Sequence, residues 1–119
     1  MNTEYKYLLV ELNDGVCTLT LNRPESYNAL SARMLKEMIE FLKEAAEDPE
    51  VRAMVVTGAG KGFCAGADLD EWDEANDAGD AADAETMNWV VYGHEMMERM
   101  VNFPKPMIAA VNGAAAVGG

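Results

Sequence analysis

The hydrophobic positions change period along the chain, and each change marks a different element. Tyr5 to Leu12 and Val16 to Leu21 are rich in aliphatic, aromatic and β-branched residues, and they flank Asn13-Asp14-Gly15, which accepts positive φ. That pattern predicts a β-hairpin. Asn22 to Leu30 reads as a loop, because Arg23-Pro24 breaks the strand and proline brings no ladder donor. From Ser31, a good N-cap, the period becomes helical. Leu35, Met38, Ile39 and Leu42 share one face, with Lys36, Glu37, Glu40 and Lys43 on the other, as far as Glu47 and the stop at Asp48-Pro49.

Val51 to Thr57 is almost continuously apolar, which predicts a strand buried on both faces. A glycine-rich loop, Gly58 to Gly62, leads into Phe63 to Leu69, small and apolar for a surface loop. Asp70 to Glu85 is dense in acidic residues with alanine and glycine, and is expected to be the least ordered internal stretch. A second helix is expected from Glu85 to Asn102, with Met87, Val90, Val91, Met97 and Val101 as its apolar stripe and Phe103-Pro104-Lys105-Pro106 as its stop. Met107 to Val111 reads as another buried strand, and Asn112-Gly113 turns the chain into Ala114 to Gly119. The order ββαβαβ, without internal repeat or linker, predicts one α/β domain over residues 1–119.

Charge narrows the partners. With 21 acidic and 9 basic residues the net charge is -12, which argues against nucleic acid or an anionic membrane. An anionic ligand would need local cations; Arg23 and Lys61 are the candidates. Cys17 and Cys64 are too few for a disulfide framework. The N-terminus lacks the pattern of a signal peptide, and the run from Met107 to Val111 is far short of the roughly 20 residues of a membrane span. A cytoplasmic setting is expected.

The candidate chemistry lies at two strand ends. Each buried strand runs into tiny residues, Ala65-Gly66-Ala67 and Ala114 to Gly119. Small residues let backbone approach backbone or ligand closely. Two such stretches could aim two N–H groups at one point, as an oxyanion hole does; tight packing alone is the plainer reading. Gly60 to Ala65 also fits a loose GxGxxA pattern, but Phe63 to Gly66 is a poor helix start, and no Ser or Thr follows Lys61 to make a P-loop.

Three segments carry a resemblance. Arg23-Pro24-Glu25-Ser26-Tyr27-Asn28-Ala29-Leu30 resembles an RPxxxNAL motif. Phe63-Cys64-Ala65-Gly66-Ala67-Asp68-Leu69, preceded by Val55-Val56-Thr57-Gly58, resembles FCAGxDL. Ile108 to Gly113 followed by Val117-Gly118-Gly119 resembles AAVNGxAxGGG. In order and spacing they are similar to the enoyl-CoA hydratase/isomerase (crotonase) family, over essentially the whole chain. The resemblance implies a crotonase-like ββα spiral of which this chain is the N-terminal part, with the family's acid/base glutamates beyond Gly119. It implies an acyl-CoA substrate, with CoA as part of the substrate and no separate cofactor, and a homotrimer or hexamer for a full-length parent. The amides of Ala67 and Gly118 would hold the thioester oxygen. Asn28, Ala29, Ala65, Gly66, Asp68, Leu69 and Asp70 would border CoA.

Hydration of an enoyl-CoA, the commonest chemistry of that family, is the leading activity, with double-bond isomerisation as the alternative. His94 is the only histidine, shares the apolar stripe with Val90 and Met97, and falls near the catalytic base of the family's 4-chlorobenzoyl-CoA dehalogenases. Its plainer role is a satisfied core residue. If catalytic, it would point to dehalogenase- or thioesterase-like attack on an acyl-CoA. A non-catalytic acyl-CoA-binding fragment is the reading from another class. The 119 residues alone are expected to be inactive.

Overall fold

A computed structural model describes residues 1–68 and the backbone of 80–119, with side chains from Trp89 onward. Strands β1 (Leu8–Asn13) and β2 (Val16–Leu21) pair antiparallel, Leu8 opposite Leu21 and Asn13 opposite Val16. Asp14 and Gly15 at the turn have φ of 51° and 84°. Two consecutive positive values match the twist of a tight hairpin, as the Asn-Asp-Gly sequence predicts.

A single 3-10 turn, Pro24–Ser26, then leads to Tyr27 and Asn28, both left-handed. Helix α1 (Ala32–Glu47) starts where Ser31 Oγ accepts the Met34 N–H at 3.2 Å, the predicted cap. Met34, Leu35, Met38, Ile39, Phe41, Leu42 and Ala45 form its buried side. At its far end the Lys105 ammonium donates to the carbonyls of Ala45 and Asp48 at 2.7 and 2.6 Å. A cation there meets the negative end of the helix dipole.

Strand β3 (Ala53–Gly58) runs parallel to β2, helix α2 (Asp80–Val101) follows, and β4 (Met107–Ala109) lies parallel to β3. The sheet order is β1-β2-β3-β4. Cys17, Leu19 and Leu21 of β2 and Met54 and Val56 of β3 share one core with α1, and α2 packs on α1.

Three expectations are corrected. Strands β3 and β4 are not buried on both faces: β3 alternates, and Ile108 is 60% exposed. Among the described residues the sheet core lies with α1, so only alternate side chains leave water. Helix α2 begins at Asp80, not near Glu85. Its inward stripe is Trp89, Tyr92, Met96 and Met100, while Val91, Met97 and Val101 are exposed. The helix is apolar on more than one side, so its period alone does not identify the core face. Most of the stretch expected to be least ordered, and the side chain of Met87, lie outside the described residues. No helix among the described residues is long and apolar enough to cross a membrane.

The N-terminal arm is tied to α1 by Glu37, whose carboxylate accepts the Lys6 and Tyr7 N–H groups at 3.0 and 2.9 Å. Beside it the Tyr5 ring meets Phe41 edge-on, and its buried hydroxyl has no hydrogen-bond partner. Burial first, and then Glu44, Glu40 and Glu37, push its pKa up to about 12. An unpartnered buried hydroxyl costs about 1 kcal/mol or more, so Tyr5→Phe is expected to raise stability by that order at neutral pH. A folded pKa above the unfolded value of about 10 means stability is complete below pH 10 and falls as pH rises towards 12. Urea midpoints measured across that range should fall less steeply in Tyr5→Phe than in the wild type.

Candidate functional site

The two small-residue runs meet. Cys64 and Ala115 form a parallel bridge, the Cys64 N–H donates to Ala114 O and the Ala116 N–H to Cys64 O, each at 3.1 Å. On the other side Leu30 and Ala67 form a parallel bridge, with the Leu30 N–H on Gly66 O at 2.6 Å and the Asp68 N–H on Leu30 O at 3.2 Å. The FCAG-type segment is therefore the middle of three extended backbones, between the NAL-type and AVNG-type segments. The Trp89 indole N–H donates to Leu30 O at 2.8 Å and ties α2 to the same place.

Close approach explains the residue sizes. Gly66 has φ of 90°, and a β-carbon there would collide with the carbonyl oxygens of Ala116 and Val117. Smallness serves this contact whether or not a ligand binds, so the plainer packing reading holds here too.

The expected donors are adjacent but do not point together. The Ala67 N–H donates to the Val117 carbonyl at 3.2 Å. In a trans peptide C=O and N–H are antiparallel, so the Gly118 N–H points away from Ala67. Val117 has φ of 48°, costly for a β-branched residue.

The expected CoA contacts divide. Asn28 is completely buried and Ala29 nearly so. The Asn28 carboxamide accepts the Arg23 N–H at 2.7 Å and donates towards Ala59, Gly62 and Phe63 oxygens at 3.0 to 3.2 Å. It faces protein on every side, so its side chain builds the site rather than touching a ligand. Arg23 is held too: Nη1 lies 3.0 Å from Asp68 Oδ2 and 2.6 Å from Ala29 O. Ala65 and Ala67 are partly exposed, Gly66 is buried, and Lys61 is exposed. Leu69 and Asp70 lie outside the described residues.

An apolar cavity of about 460 Å³ adjoins the strand ends, lined by Met38, Met96, Met97, Met100, Met107 and Cys64, with Gly118 and Gly119 at its edge. The Cys64 thiol donates to Asn28 O at 3.3 Å. Burial pushes its pKa up against a backbone hydrogen bond at Gly66, so it stays protonated. His94 is exposed and does not line this cavity, contrary to the inward orientation expected. At about 100° per residue it falls opposite the Trp89–Met96–Met100 face.

A family model described as enoyl-CoA hydratase/isomerase matches residues 11–119. The chain belongs to the enoyl-CoA hydratase/isomerase family. It is 40% identical over 116 residues to the 1,2-epoxyphenylacetyl-CoA isomerase of Escherichia coli (strain K12), covering 96% of this chain and 43% of that protein. It is 39% identical over 117 residues to the short-chain-enoyl-CoA hydratase of Clostridium acetobutylicum, covering 98% and 42%. A crystal structure of an enoyl-CoA hydratase/isomerase from Xanthobacter autotrophicus Py2 superposes with a TM-score of 0.85 at 38% identity, covering 97% of this chain and 42% of that one. The α/β crotonase-type fold thus holds, and the chain spans less than half the length of each of these relatives.

The side-chain role of Asn112 is what the sequence leaves out: a motif member that reads as the start of a turn, it binds Gly58, Gly60 and Gly62 through its carboxamide. The Asn-Gly pair hid this, because it is also an ordinary turn signal. For the strand ends themselves, Gly66→Ala is expected to cost about 3 kcal/mol, from the left-handed backbone and the blocked approach together. A chemical-denaturation midpoint close to that of the wild type would contradict the close contact.

Proposed function

We propose that this segment holds the thioester carbonyl of an acyl-CoA, and that the whole protein hydrates an enoyl-CoA. The supporting observation is the contact between the Ala67 amide and the Val117–Gly118 peptide, at the rim of a methionine-rich apolar cavity. Enolate formation places negative charge on the thioester oxygen, and fixed amide dipoles lower that charge's energy; loss of one such donor typically costs about 3 kcal/mol. The cavity takes the acyl group, since methionine side chains adapt to varied apolar shapes.

The geometry requires one movement. Rotation of the Val117–Gly118 peptide takes its carbonyl off the Ala67 N–H and turns the Gly118 N–H towards the same point. The thioester oxygen then replaces the Val117 carbonyl. A charged acceptor binds an amide more strongly than a neutral one, so charge developing on the substrate favours the rotated state.

Double-bond isomerisation is the second reading; the 40% identity is to an isomerase named for an epoxide-bearing acyl-CoA and supports the family rather than that reaction. Both chemistries use the same stabilised enolate and differ in where acid and base stand. The exposure of His94 gives no support to an imidazole-assisted hydrolysis.

Infrared difference spectra of crotonyl-CoA with this chain test the proposal. The thioester C=O stretch is expected to move to lower frequency on binding, without turnover, because no carboxylate or imidazole lies among the described residues lining the cavity. A carbonyl stretch unchanged by saturating protein, or hydration by the chain itself, would overturn this account.

A further inference from the structure

Two asparagines meet on one carbonyl oxygen. Asn28 approaches from the NAL-type segment, with Nδ2 3.0 Å from the oxygens of Ala59 and Gly62 and 3.2 Å from that of Phe63. Asn112 approaches from the AVNG-type segment, with Nδ2 3.1 Å from Gly60 O and 3.2 Å from Gly62 O. Its Oδ1 accepts the Gly58 N–H at 3.1 Å. The Gly62 carbonyl thus uses both lone pairs on the two carboxamides. The backbone donors to Oδ1, from Arg23 and Gly58, fix which way each amide faces.

The loop from Gly58 to Phe63 is therefore bracketed from both sides, and it feeds directly into Cys64 to Ala67. Asn112 itself opens the run that ends at Gly118. Neither asparagine reaches the Ala67 or Gly118 amides, yet each hangs one strand end on the same turn. Gly58 fits this bracket closely: a β-carbon there would sit 2.5 Å from the Gly62 and Phe63 oxygens and 2.8 Å from Asn28 Nδ2.

We propose that Asn28 and Asn112 are a coupled pair of positioning residues, which together set the separation of the Ala67 and Gly118 amides through the Gly62 carbonyl. The coupling stands on the hydrogen bonds alone; that the positioned amides receive a thioester oxygen rests on the function proposed above. A carboxylate in place of either carboxamide keeps its shape and its accepted bond but loses every donated one, so Asn→Asp removes the link to Gly62 together with those to Ala59 and Phe63, or to Gly60.

Backbone hydrogen exchange, residue by residue, reads the coupling across the bracket. In Asn112→Asp the Ala65 amide, which donates to Tyr27 O on the Asn28 side while the carbonyl of its own peptide, Cys64 O, accepts the Ala116 N–H, is expected to exchange about tenfold faster. In Asn28→Asp the Gly58 amide, held by Asn112, is expected to do the same. Asn28 is fully buried and that variant could fail to fold; Asn112 is exposed, so Asn112→Asp decides the matter alone. Faster exchange confined to Gly58 through Gly62 in that variant, with Ala65 unchanged, overturns the proposal.

Crotonyl-CoA then separates positioning from binding. Asn112→Asp is expected to keep wild-type affinity and lose most of the carbonyl shift. Equal shifts in variant and wild type overturn positioning while leaving the proposed function standing. Absence of binding to the wild type removes the proposed function, and the exchange result still decides whether the bracket couples the two strands.

Discussion

Everything in this chain depends on how closely two backbones can run together. Residues 64–67 and 114–117 are in direct ladder contact, and not even a methyl fits at the tightest point, Gly66. A bulky residue at Gly66 would separate them, and the Ala67 amide would lose its acceptor. The parallel strands β3 and β4 exist to deliver these two ends side by side, because parallel neighbours finish at the same edge of a sheet. Open α/β sheets place ligand sites at that edge for the same reason.

Around this contact the polar groups are arranged to resist slippage. Asn28, in a left-handed conformation with no exposure, fastens the loop after β2 to the loop after β3. Arg23 closes the same corner by joining Ala29 to Asp68. Thr57 Oγ1 donates to Ala110 O at 2.9 Å and stitches the ends of β3 and β4. Buried carboxamides with every group partnered hold geometry well, and leave costly orphans when one partner is lost. Rigidity is thus concentrated where the two strand ends meet, while α2 rests on α1 through larger and softer side chains such as Met96 and Met100.

The sheet, the hairpin turn, the Ser31 cap and the meeting of the two strand ends were all legible in the residue pattern. Each follows from local chemistry: an Asp-Gly pair takes positive φ, a serine caps a helix, small residues permit contact. The side chains of Asn28, Asn112 and Arg23 were legible only as motif members, since their partners are carbonyls up to 52 residues away, and no spacing rule reports a backbone oxygen. His94 and the α2 stripe misled for a different reason. When apolar residues surround a helix, the neighbour decides which face is core, and here that neighbour is α1 through Trp89, Tyr92 and Met96. The orientation of the Val117–Gly118 peptide, with its carbonyl on the Ala67 N–H, was equally beyond pattern, because residue size does not fix which way a peptide faces.

The charge balance gives the amide geometry its importance. A chain of net charge -12 sets up a field that opposes an anion anywhere on it. Arg23, the cation beside the FCAG-type segment, is already paired with Asp68, both largely buried, and offers little to the oxyanion of the proposed function. Under the proposed function, stabilisation then falls to dipoles rather than to net charge. A dipole's pull falls off faster with distance than a charge's and depends on angle, so displacement by a fraction of an ångström matters more than it would for a lysine. That is why neutral, fully hydrogen-bonded carboxamides are suited to this place. They fix the backbone without adding to the negative field, and a carboxylate in the same position would both loosen the loop and deepen the repulsion.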